Sequence, residues 1–387
     1  MEFVSDKVQQ LPPYLFSKFQ ERKKELQDQG VDVIDLGIGA PDLPTPEFVI
    51  DRLVEESRKS ENHVYAPYSG AQEFKEAVAY FYKQHYGVEL DPETEVLTLI
   101  GSKEGIANTI QAVLNKGDVV LTPNPGYPVY STAIHLAGAK NVPFPIDATR
   151  GYEPQFNDID PNDIEQAKMM ILNYPSNPTS ATIDRNVFLK AITFAEENDL
   201  IIANDAAYDL VTFGDYISPS LMQVPGAKER AIEFGSLSKS FNMTGWRIGF
   251  IVGNKDIIQS LSTLKSNIDS SQFLPIQLAG ATALTSDLSE VRKNNTIIEE
   301  RMEKVCHALE TLGIRFEKPR GTIFVWAEVP EGYTSASFAD TLLEQAGIIV
   351  TPGSSFGSGG EGYFRIALTV TTERFDEVVK RLQHIQL

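Results

Sequence analysis

"GSLSKSFNMTGWRIGF", residues 235–250, places hydroxyl and basic side chains directly after a run of apolar residues. Ser236 and Ser238 offer hydroxyl groups beside the amine of Lys239, and Arg247 follows eight positions after that lysine. Hydroxyl groups and a guanidinium fork suit phosphate oxygens, and a lysine amine can react with a carbonyl group. The segment therefore predicts a strand end that binds a phosphorylated ligand.

The chain around this segment alternates short apolar runs with amphipathic, helix-like stretches. The apolar runs cover residues 96–100, 118–123, 141–146, 169–174, 200–205, 231–236 and 247–253. This alternation is typical of an α/β fold with a mostly parallel sheet between helices. Because ligands of such sheets bind beyond the carboxyl ends of the strands, we expect functional side chains directly after these runs.

The pattern changes after about residue 285. A long polar helix over 287–312 precedes three strand-like segments and a terminal helix. We therefore predict a large ligand-binding domain over 46–285 and a smaller α+β domain over 286–387. Residues 1–45 are too few for a domain, and we predict an N-terminal arm that packs on the small domain or on a partner subunit.

Composition narrows the functional class. The 387 residues carry 34 Lys plus Arg against 53 Asp plus Glu, a formal charge of −19, which argues against nucleic-acid binding. Neither a membrane span nor a signal-peptide pattern is evident, so we expect a cytoplasmic protein. Five scattered histidines and the single Cys306 suggest neither a metal site nor a disulfide.

Polar residues follow several apolar runs. Ser102 and Lys103 begin a helix after the run 96–100, where backbone N–H groups can meet an anion, although any serine can also cap a helix. Asn177 lies in a turn after the run 169–174. Asp205 ends a strongly apolar run, either as a helix cap or as the partner of a buried positive charge.

Together these residues suit a phosphorylated aldehyde whose ring carries a basic nitrogen. Lys239 would form a Schiff base with the aldehyde, and Asp205 would keep the ring nitrogen protonated so that the ring withdraws electrons. Tyr208 and Asn177 could both hydrogen-bond a phenolic oxygen on the ring. This is a hypothesis about a cofactor site and leaves open which bond of a substrate is broken.

Nine motifs in order along the chain resemble those of the fold-type I pyridoxal-phosphate aminotransferases, the aspartate aminotransferase-like superfamily. The motifs are "LGIGAPDLPTP", "YAPYSG", "GSKEGI", "PNPGYPVY", "NYPSNPTSA", "NDAAYDL", "SLSKSFNMTGWRIGF", "SNIDSSQF" and "GYFRIALT". The resemblance covers nearly the whole chain, and ordered matches are far more specific than one lysine motif. It implies transfer of an amino group from an L-amino acid to a 2-oxo acid such as 2-oxoglutarate.

The resemblance also implies roles for individual residues. Tyr127 would stack on the cofactor ring, Arg365 and the Gly39 N–H would bind the substrate carboxylate, and freed Lys239 would act as general base. Tyr65 and Asn267 match positions that reach into a neighbouring subunit's site, which implies a homodimer. The residues implied around the cofactor phosphate are Ser102, Lys103, Ser236, Ser238 and Arg247.

Within this superfamily the chain is most similar to the branch of the LL-diaminopimelate aminotransferases. Tyr14, Tyr65 and Lys103 match substrate-pocket positions of that branch, and Lys103 is the candidate for a distal carboxylate. The chain departs from the branch at "YAPYSG", which lacks an acidic residue, and at Ser180, where glycine is commoner. These departures leave the substrate open, including aspartate, alanine, methionine or aromatic donors.

Other functional classes remain as alternatives. A pyridoxal-phosphate lyase or synthase could share every cofactor residue, because those residues bind the cofactor without selecting the bond that breaks. A non-catalytic amino-acid sensor is disfavoured by the presence of Lys239, Asp205 and Arg365 together. A nucleotide-dependent dehydrogenase is disfavoured because no G-x-G-x-x-G follows an early strand.

Overall fold

A computed structural model describes residues 3–11 and 23–387 of the chain. Its strands form a seven-stranded sheet, a three-stranded sheet and a short two-stranded pairing. The strands are β1 Ile34–Asp35, β2 Val96–Leu99, β3 Val119–Asn124, β4 Lys140–Pro145, β5 Ala167–Leu172, β6 Ile201–Asp205, β7 Ala231–Ser236, β8 Gly249–Gly253, β9 Phe324–Glu328, β10 Ile348–Ile349, β11 Thr351–Pro352 and β12 Tyr363–Ala367.

The seven-stranded sheet has the order β2-β8-β7-β6-β5-β3-β4. Strand β8 runs antiparallel to β2 and to β7, and the remaining neighbours are parallel. All six residues of β7 are buried, as expected for a strand covered by helices on both faces. The mostly parallel α/β fold predicted from the apolar runs is confirmed.

Helices cover both faces of this sheet because neighbouring strand residues point in opposite directions. Leu121 packs in one apolar cluster with Phe74, Phe188 and Leu278, whereas Val120 packs in the other. The α-helices are Asp6–Gln9, Glu47–Ser57, Gln72–Tyr86, Ser102–Val113, Val129–Ala137, Pro161–Gln166, Arg185–Asn198, Ala227–Arg230, Leu237–Ser240, Lys255–Ser266, Leu274–Leu284, Ser289–Thr311, Ser335–Ala346 and Thr372–Leu382, and residues 23–28 are also helical.

The C-terminal part has its own antiparallel sheet, β11-β12-β9, and its own apolar cluster. The cluster joins this sheet to three helices through residues such as Met302, Phe338 and Phe375. We call this part the small lobe and the part with the seven-stranded sheet the large lobe. The domain boundaries at 45 and 285 stay predictions.

The segment before the large lobe attaches to the small lobe. Strand β1 pairs in parallel with β10 through Ile34 and Ile348. Asp42 forms a bidentate ion pair with Arg301 of the small lobe, with N–O distances of 2.7 and 2.9 Å. The extended run after β1 is therefore held where the two lobes meet.

In the part of the chain that the structure describes, no helix is long and apolar enough to cross a membrane.

Candidate active site

A cavity of about 470 Å³ lies at the carboxyl ends of the large-lobe strands, and Phe324 and Arg365 of the small lobe also line it. Strands β6 and β7 deliver Asp205 and Ser236 to it, because parallel strands end at one edge of the sheet. Its lining residues are Ile38, Gly39, Ser102, Lys103, Ile106, Tyr127, Asn173, Asn177, Asp205, Ala207, Tyr208, Ser236, Ser238, Lys239, Thr244, Arg247, Phe324 and Arg365.

One end of the cavity is built to receive an anion. The helix that begins at Ser102 follows Gly101, which has no side chain to cap it, and backbone N–H groups at a helix N-terminus favour an anion. Gly101 adopts φ +80°, and a Cβ on it would lie 2.3 Å from Arg247 Nη2. Only glycine therefore lets the Arg247 guanidinium approach this helix terminus closely.

Lys239 lies in a short helix, Leu237–Ser240, directly after β7. Its Nζ donates a 2.5 Å hydrogen bond to the carbonyl oxygen of Gly39, from the segment that leads into the large lobe. Burial, together with the charges of Arg365 and Arg247, lowers the pKa of Lys239 from 10.5 to about 8. A buried amine with a lowered pKa is more often neutral and therefore more nucleophilic than a surface lysine.

Asp205 lies on the floor of the cavity and is 5% exposed. Its Oδ2 accepts a 2.9 Å hydrogen bond from Tyr130 Oη, while its buried Oδ1 has no hydrogen-bond partner among the residues that the structure describes. Burial raises the pKa of Asp205 to about 6, and the hydrogen bond from Tyr130 and the nearby backbone N–H of Ala207 oppose that rise. A buried carboxylate with one unsatisfied oxygen is expensive without a ligand, so Oδ1 marks where a proton-bearing group fits.

The cavity also contains a buried cation. Arg365 is 2% exposed; it donates to Asn177 Oδ1 and, at 2.8 Å, to the Gly37 carbonyl oxygen. Its Cζ lies 4.0 Å from the centroid of the Phe324 ring, and its Nε has no partner. Among the described residues no carboxylate forms an ion pair with Arg365. Burial lowers its pKa to about 10, which still leaves it charged at neutral pH.

Most of the residues predicted for the site lie together in this cavity. Tyr65 and Asn267 do not line it; both are exposed, Tyr65 to 88%. Tyr14 lies outside the described residues. The residues brought together are Gly39, Ser102, Lys103, Tyr127, Asn177, Asp205, Tyr208, Ser236, Ser238, Lys239, Arg247 and Arg365.

Several residues at the site were missed from the sequence. Asn173 donates to the Asp205 carbonyl oxygen at 2.7 Å and accepts from the Asn177 N–H at 2.8 Å, so it fixes two segments at once. Tyr130 follows Tyr127 at a helical spacing of three, and that spacing was the available signal. Phe324 reads as an ordinary strand residue, because its position beneath Arg365 depends on how the lobes meet.

The side chains present fit pyridoxal phosphate. The open helix terminus beside Arg247 suits the phosphate, and Asp205 Oδ1 suits a protonated ring nitrogen. Lys239 provides the amine that a pyridoxal aldehyde requires. The helix terminus beside Arg247, the Asp205 carboxylate and the Lys239 amine come from separate segments of the chain and line one cavity.

A family model, that of the aminotransferases of class I and II, matches residues 31–382. The curated LL-diaminopimelate aminotransferase of Moorella thermoacetica is 48% identical over 382 residues, which is 98% of this chain and 97% of that protein. The LL-diaminopimelate aminotransferase of Syntrophobacter fumaroxidans is 48% identical over 386 residues and covers both chains completely.

Solved structures agree with the sequence comparison. The substrate-bound BacF structure from Bacillus subtilis has a TM-score of 0.95 and 39% identity, and the match covers 99% of this chain and 98% of that one. A probable N-succinyldiaminopimelate aminotransferase from Thermus thermophilus has a TM-score of 0.91 and 33% identity, over 96% of this chain and 100% of that one.

Proposed function

The chain belongs to the class I and II aminotransferases, which depend on pyridoxal phosphate, and within that family we propose that its amino donor is LL-diaminopimelate and its acceptor 2-oxoglutarate. The observation that carries the reaction is the placement of Lys239, Asp205 Oδ1 and Arg365 in one cavity. These are the groups needed to hold the cofactor, to stabilise negative charge on its ring and to bind an amino-acid carboxylate.

When bound, pyridoxal phosphate supplies an electron sink for bond breaking at the substrate α-carbon. Asp205 would keep a proton at the ring nitrogen through its Oδ1, and Tyr130 holds the other oxygen in place. The hydroxyl groups of Ser236 and Ser238 and the Arg247 guanidinium, which line the cavity, would bind the phosphate. Lys239, whose lowered pKa suits a general base, would take the proton from the substrate α-carbon and deliver it to the carbon that carried the cofactor aldehyde.

Arg365 orients the substrate. Among the described residues the Arg365 guanidinium has only neutral hydrogen-bond partners, so its burial is unfavourable. A substrate carboxylate would offset this desolvation free energy by pairing with the charge. Asn177 and the Gly37 carbonyl hold the fork in a fixed orientation, so the carboxylate can bind by two parallel hydrogen bonds. This contact aligns the α-carbon toward Lys239.

The diaminopimelate assignment rests on two supports. The curated relatives at 48% identity match over essentially the full length of both chains. Lys103 also lines the cavity and gives a second cation for a donor that has a carboxylate at each end. A monocarboxylate donor would leave that second contact unused.

The test is a donor panel with 2-oxoglutarate as acceptor: LL-diaminopimelate, alanine, aspartate, methionine and phenylalanine, with glutamate formation followed by mass spectrometry. We expect kcat/KM for LL-diaminopimelate to be at least about tenfold higher than kcat/KM for any other donor, because one additional polar contact can discriminate by that factor. A Lys103→Ala variant should lose that preference while keeping transfer from alanine. Preference for aspartate or phenylalanine in the natural chain would contradict the substrate assignment.

We also propose that the enzyme is a homodimer with shared sites. Exposed apolar residues gather where segments 63–68 and 267–273 meet, with the His63 and Phe273 rings 5.4 Å apart. Val64, Tyr65 and Ile268 are 67%, 88% and 58% exposed, which is unfavourable for surface side chains so close together. A second copy that covers this surface would bury them and carry Tyr65 toward the partner's cavity.

Mixing two inactive proteins tests the shared site. Lys239→Ala lacks the amine, and Tyr65→Ala lacks the residue proposed to reach the partner. Each mixed dimer would contain one site with both residues intact, so about a quarter of the wild-type activity should return after subunit exchange. If activity does not return although mixed dimers form, Tyr65 acts within its own chain or not at all.

A further inference from the structure

Ser180 has a backbone conformation that favours glycine. It is 5% exposed and has φ +58°, in the left-handed region that non-glycine residues rarely adopt. The loop that contains it also carries Asn177, which binds Arg365. A buried serine in this conformation must be compensated by contacts that its side chain makes.

The Ser180 hydroxyl bonds across the two lobes. Its Oγ donates to the carbonyl oxygen of Phe324 at 2.8 Å and accepts from Thr322 Oγ1 at 3.1 Å. Thr322 Oγ1 in turn accepts from the Phe324 N–H at 3.2 Å. Thr322 is fully buried and has φ +71°, so two residues in unfavourable conformations meet in one hydroxyl pair.

This pair satisfies a strand edge. Strand β9 pairs with β12 on one side, and on its other side Ala327 bridges to Phe316. At Phe324, the first residue of β9, the described residues provide no strand partner on that other side, so its backbone N–H and C=O need other partners. Thr322 and Ser180 are the partners of those two groups at Phe324. Without the Ser180 hydroxyl the buried Phe324 carbonyl would lose its donor.

The Arg365 guanidinium packs against the aromatic ring of Phe324. The guanidinium lies 4.0 Å from the ring centroid, and a Cβ on Gly39 would lie 2.5 Å from the same ring. The Tyr208 ring also packs edge-on against it, at 5.6 Å between centroids. A shift of the Phe324 backbone would therefore move the support of the cation that faces the substrate.

We propose that Ser180 is a positioning residue that ties the Asn177 loop to Phe324 and so fixes Arg365 for carboxylate binding. The inference rests on the carboxylate-binding role proposed for Arg365. It assigns to Ser180 an effect on the binding of both amino and oxo acids. Because the carboxylate is bound before and during the reaction, the effect falls on KM and much less on kcat.

The experiment uses the holoenzyme and the variants Ser180→Ala and Ser180→Gly. Steady-state kinetics give KM and kcat, and calorimetric titration with glutarate, a dicarboxylate that cannot accept an amino group, gives a dissociation constant without turnover. We expect both constants to rise about tenfold, with kcat within about twofold, because one hydrogen bond to a buried carbonyl is lost. The glycine variant should be the milder one, since glycine relieves the left-handed backbone.

Asp199→Gly is the matched control. Asp199 also has a left-handed backbone, φ +52°, but it is an exposed helix end outside the cavity. Its replacement relieves a similar backbone conformation, so KM and glutarate affinity should not change. If Asp199→Gly changed KM and the glutarate dissociation constant as much as the Ser180 variants do, the changes would be a general backbone effect and the proposal would be wrong.

Arg365→Lys separates this inference from the proposed function. If Arg365→Lys weakens glutarate binding and the Ser180 variants do not, Ser180 has no positioning role but the carboxylate site stands. If Arg365→Lys leaves glutarate binding unchanged, the carboxylate site itself is wrong. Combining Ser180→Gly with Arg365→Lys should weaken binding no further than Arg365→Lys alone. Additive losses, or a fall in kcat and urea stability with KM unchanged, would overturn the proposal.

Discussion

Asp205 and Glu233 lie on the neighbouring strands β6 and β7, and both carboxyl groups are buried without an ion pair to any residue within 3–11 or 23–387. Glu233 accepts four hydrogen bonds, from Tyr82, Ser220, Asn204 and the Leu221 N–H. Asp205 accepts from Tyr130 on one oxygen only, and the other has no partner.

Burial raises the pKa of both acids, and the bonds that each accepts oppose that rise. The difference between the two lies in what remains unsatisfied. Every oxygen of Glu233 is used within the protein, so this acid stabilises the fold between β6, β7 and the segment at Ser220. Asp205 keeps an oxygen for a ligand in the cavity. Unsatisfied hydrogen-bonding capacity, more than burial or pKa, separates the functional acid from the structural one.

The largest expected effect is on activity. Asp205→Asn keeps an oxygen for Tyr130 but removes the charge proposed to hold a proton on the cofactor ring, and we expect kcat to fall about a thousandfold. Glu233→Gln is the matched acid-to-amide control on the next strand, and its kcat should stay within about threefold of the natural value. Steady-state rates measure both. Equal losses in the two variants would break the comparison.

The next effect is on stability and is larger for Glu233→Gln than for Asp205→Asn. Each carboxylate oxygen of Glu233 accepts two hydrogen bonds, and in Glu233→Gln one of these oxygens becomes an amide NH₂ group that can only donate. The two buried donors that contacted this oxygen therefore lose their acceptor. We expect its unfolding free energy to fall by about 1–3 kcal/mol, measured by urea denaturation. Asp205→Asn, which leaves the Tyr130 bond in place, should lose less than Glu233→Gln at neutral pH. Similar stability of Glu233→Gln and the natural chain would contradict the structural role.

The third effect concerns pH and the cofactor-free protein. The pKa of Asp205 is raised to about 6 from 3.8, so the folded state binds its proton more tightly than the unfolded state does. Stability from this group is therefore present below pH 4 and is lost as the pH rises through 6, by up to about 3 kcal/mol. The natural chain should lose that much more stability over this window than Asp205→Asn does.

Glu233 and its neighbour Asp209 also have raised pKa values, but they occur in both proteins and cancel in this difference. Denaturation curves at several pH values provide the measurement. Parallel pH profiles for the natural chain and Asp205→Asn would show that Asp205 titrates normally.

The sequence predicted the large-lobe sheet because its strands are covered on both faces and therefore appear as apolar runs. It also predicted most of the cavity, since residues directly after parallel strands meet at one edge. Lys239, Asp205 and Asn177 are examples. Local pattern was sufficient for these features.

Features that depend on contacts between distant segments could not be predicted in the same way. Strand β1 has only two residues and pairs with β10 more than 300 positions later, so neither carries a period that could be recognised. The bond from Tyr130 to Asp205 depends on the side-chain direction of one tyrosine among several. Ser180 was noticed as a departure, but its partners Phe324 and Thr322 lie in the other lobe.

The most direct test of the account is to locate the cofactor on the chain. Purified enzyme is treated with borohydride, which makes a covalent link between an amine and pyridoxal phosphate permanent, and its peptides are mapped by mass spectrometry. The account predicts one modified residue, Lys239, and no modification in the Lys239→Arg variant. A modification at another lysine in the natural chain, or no modification in enzyme that is active, would contradict it.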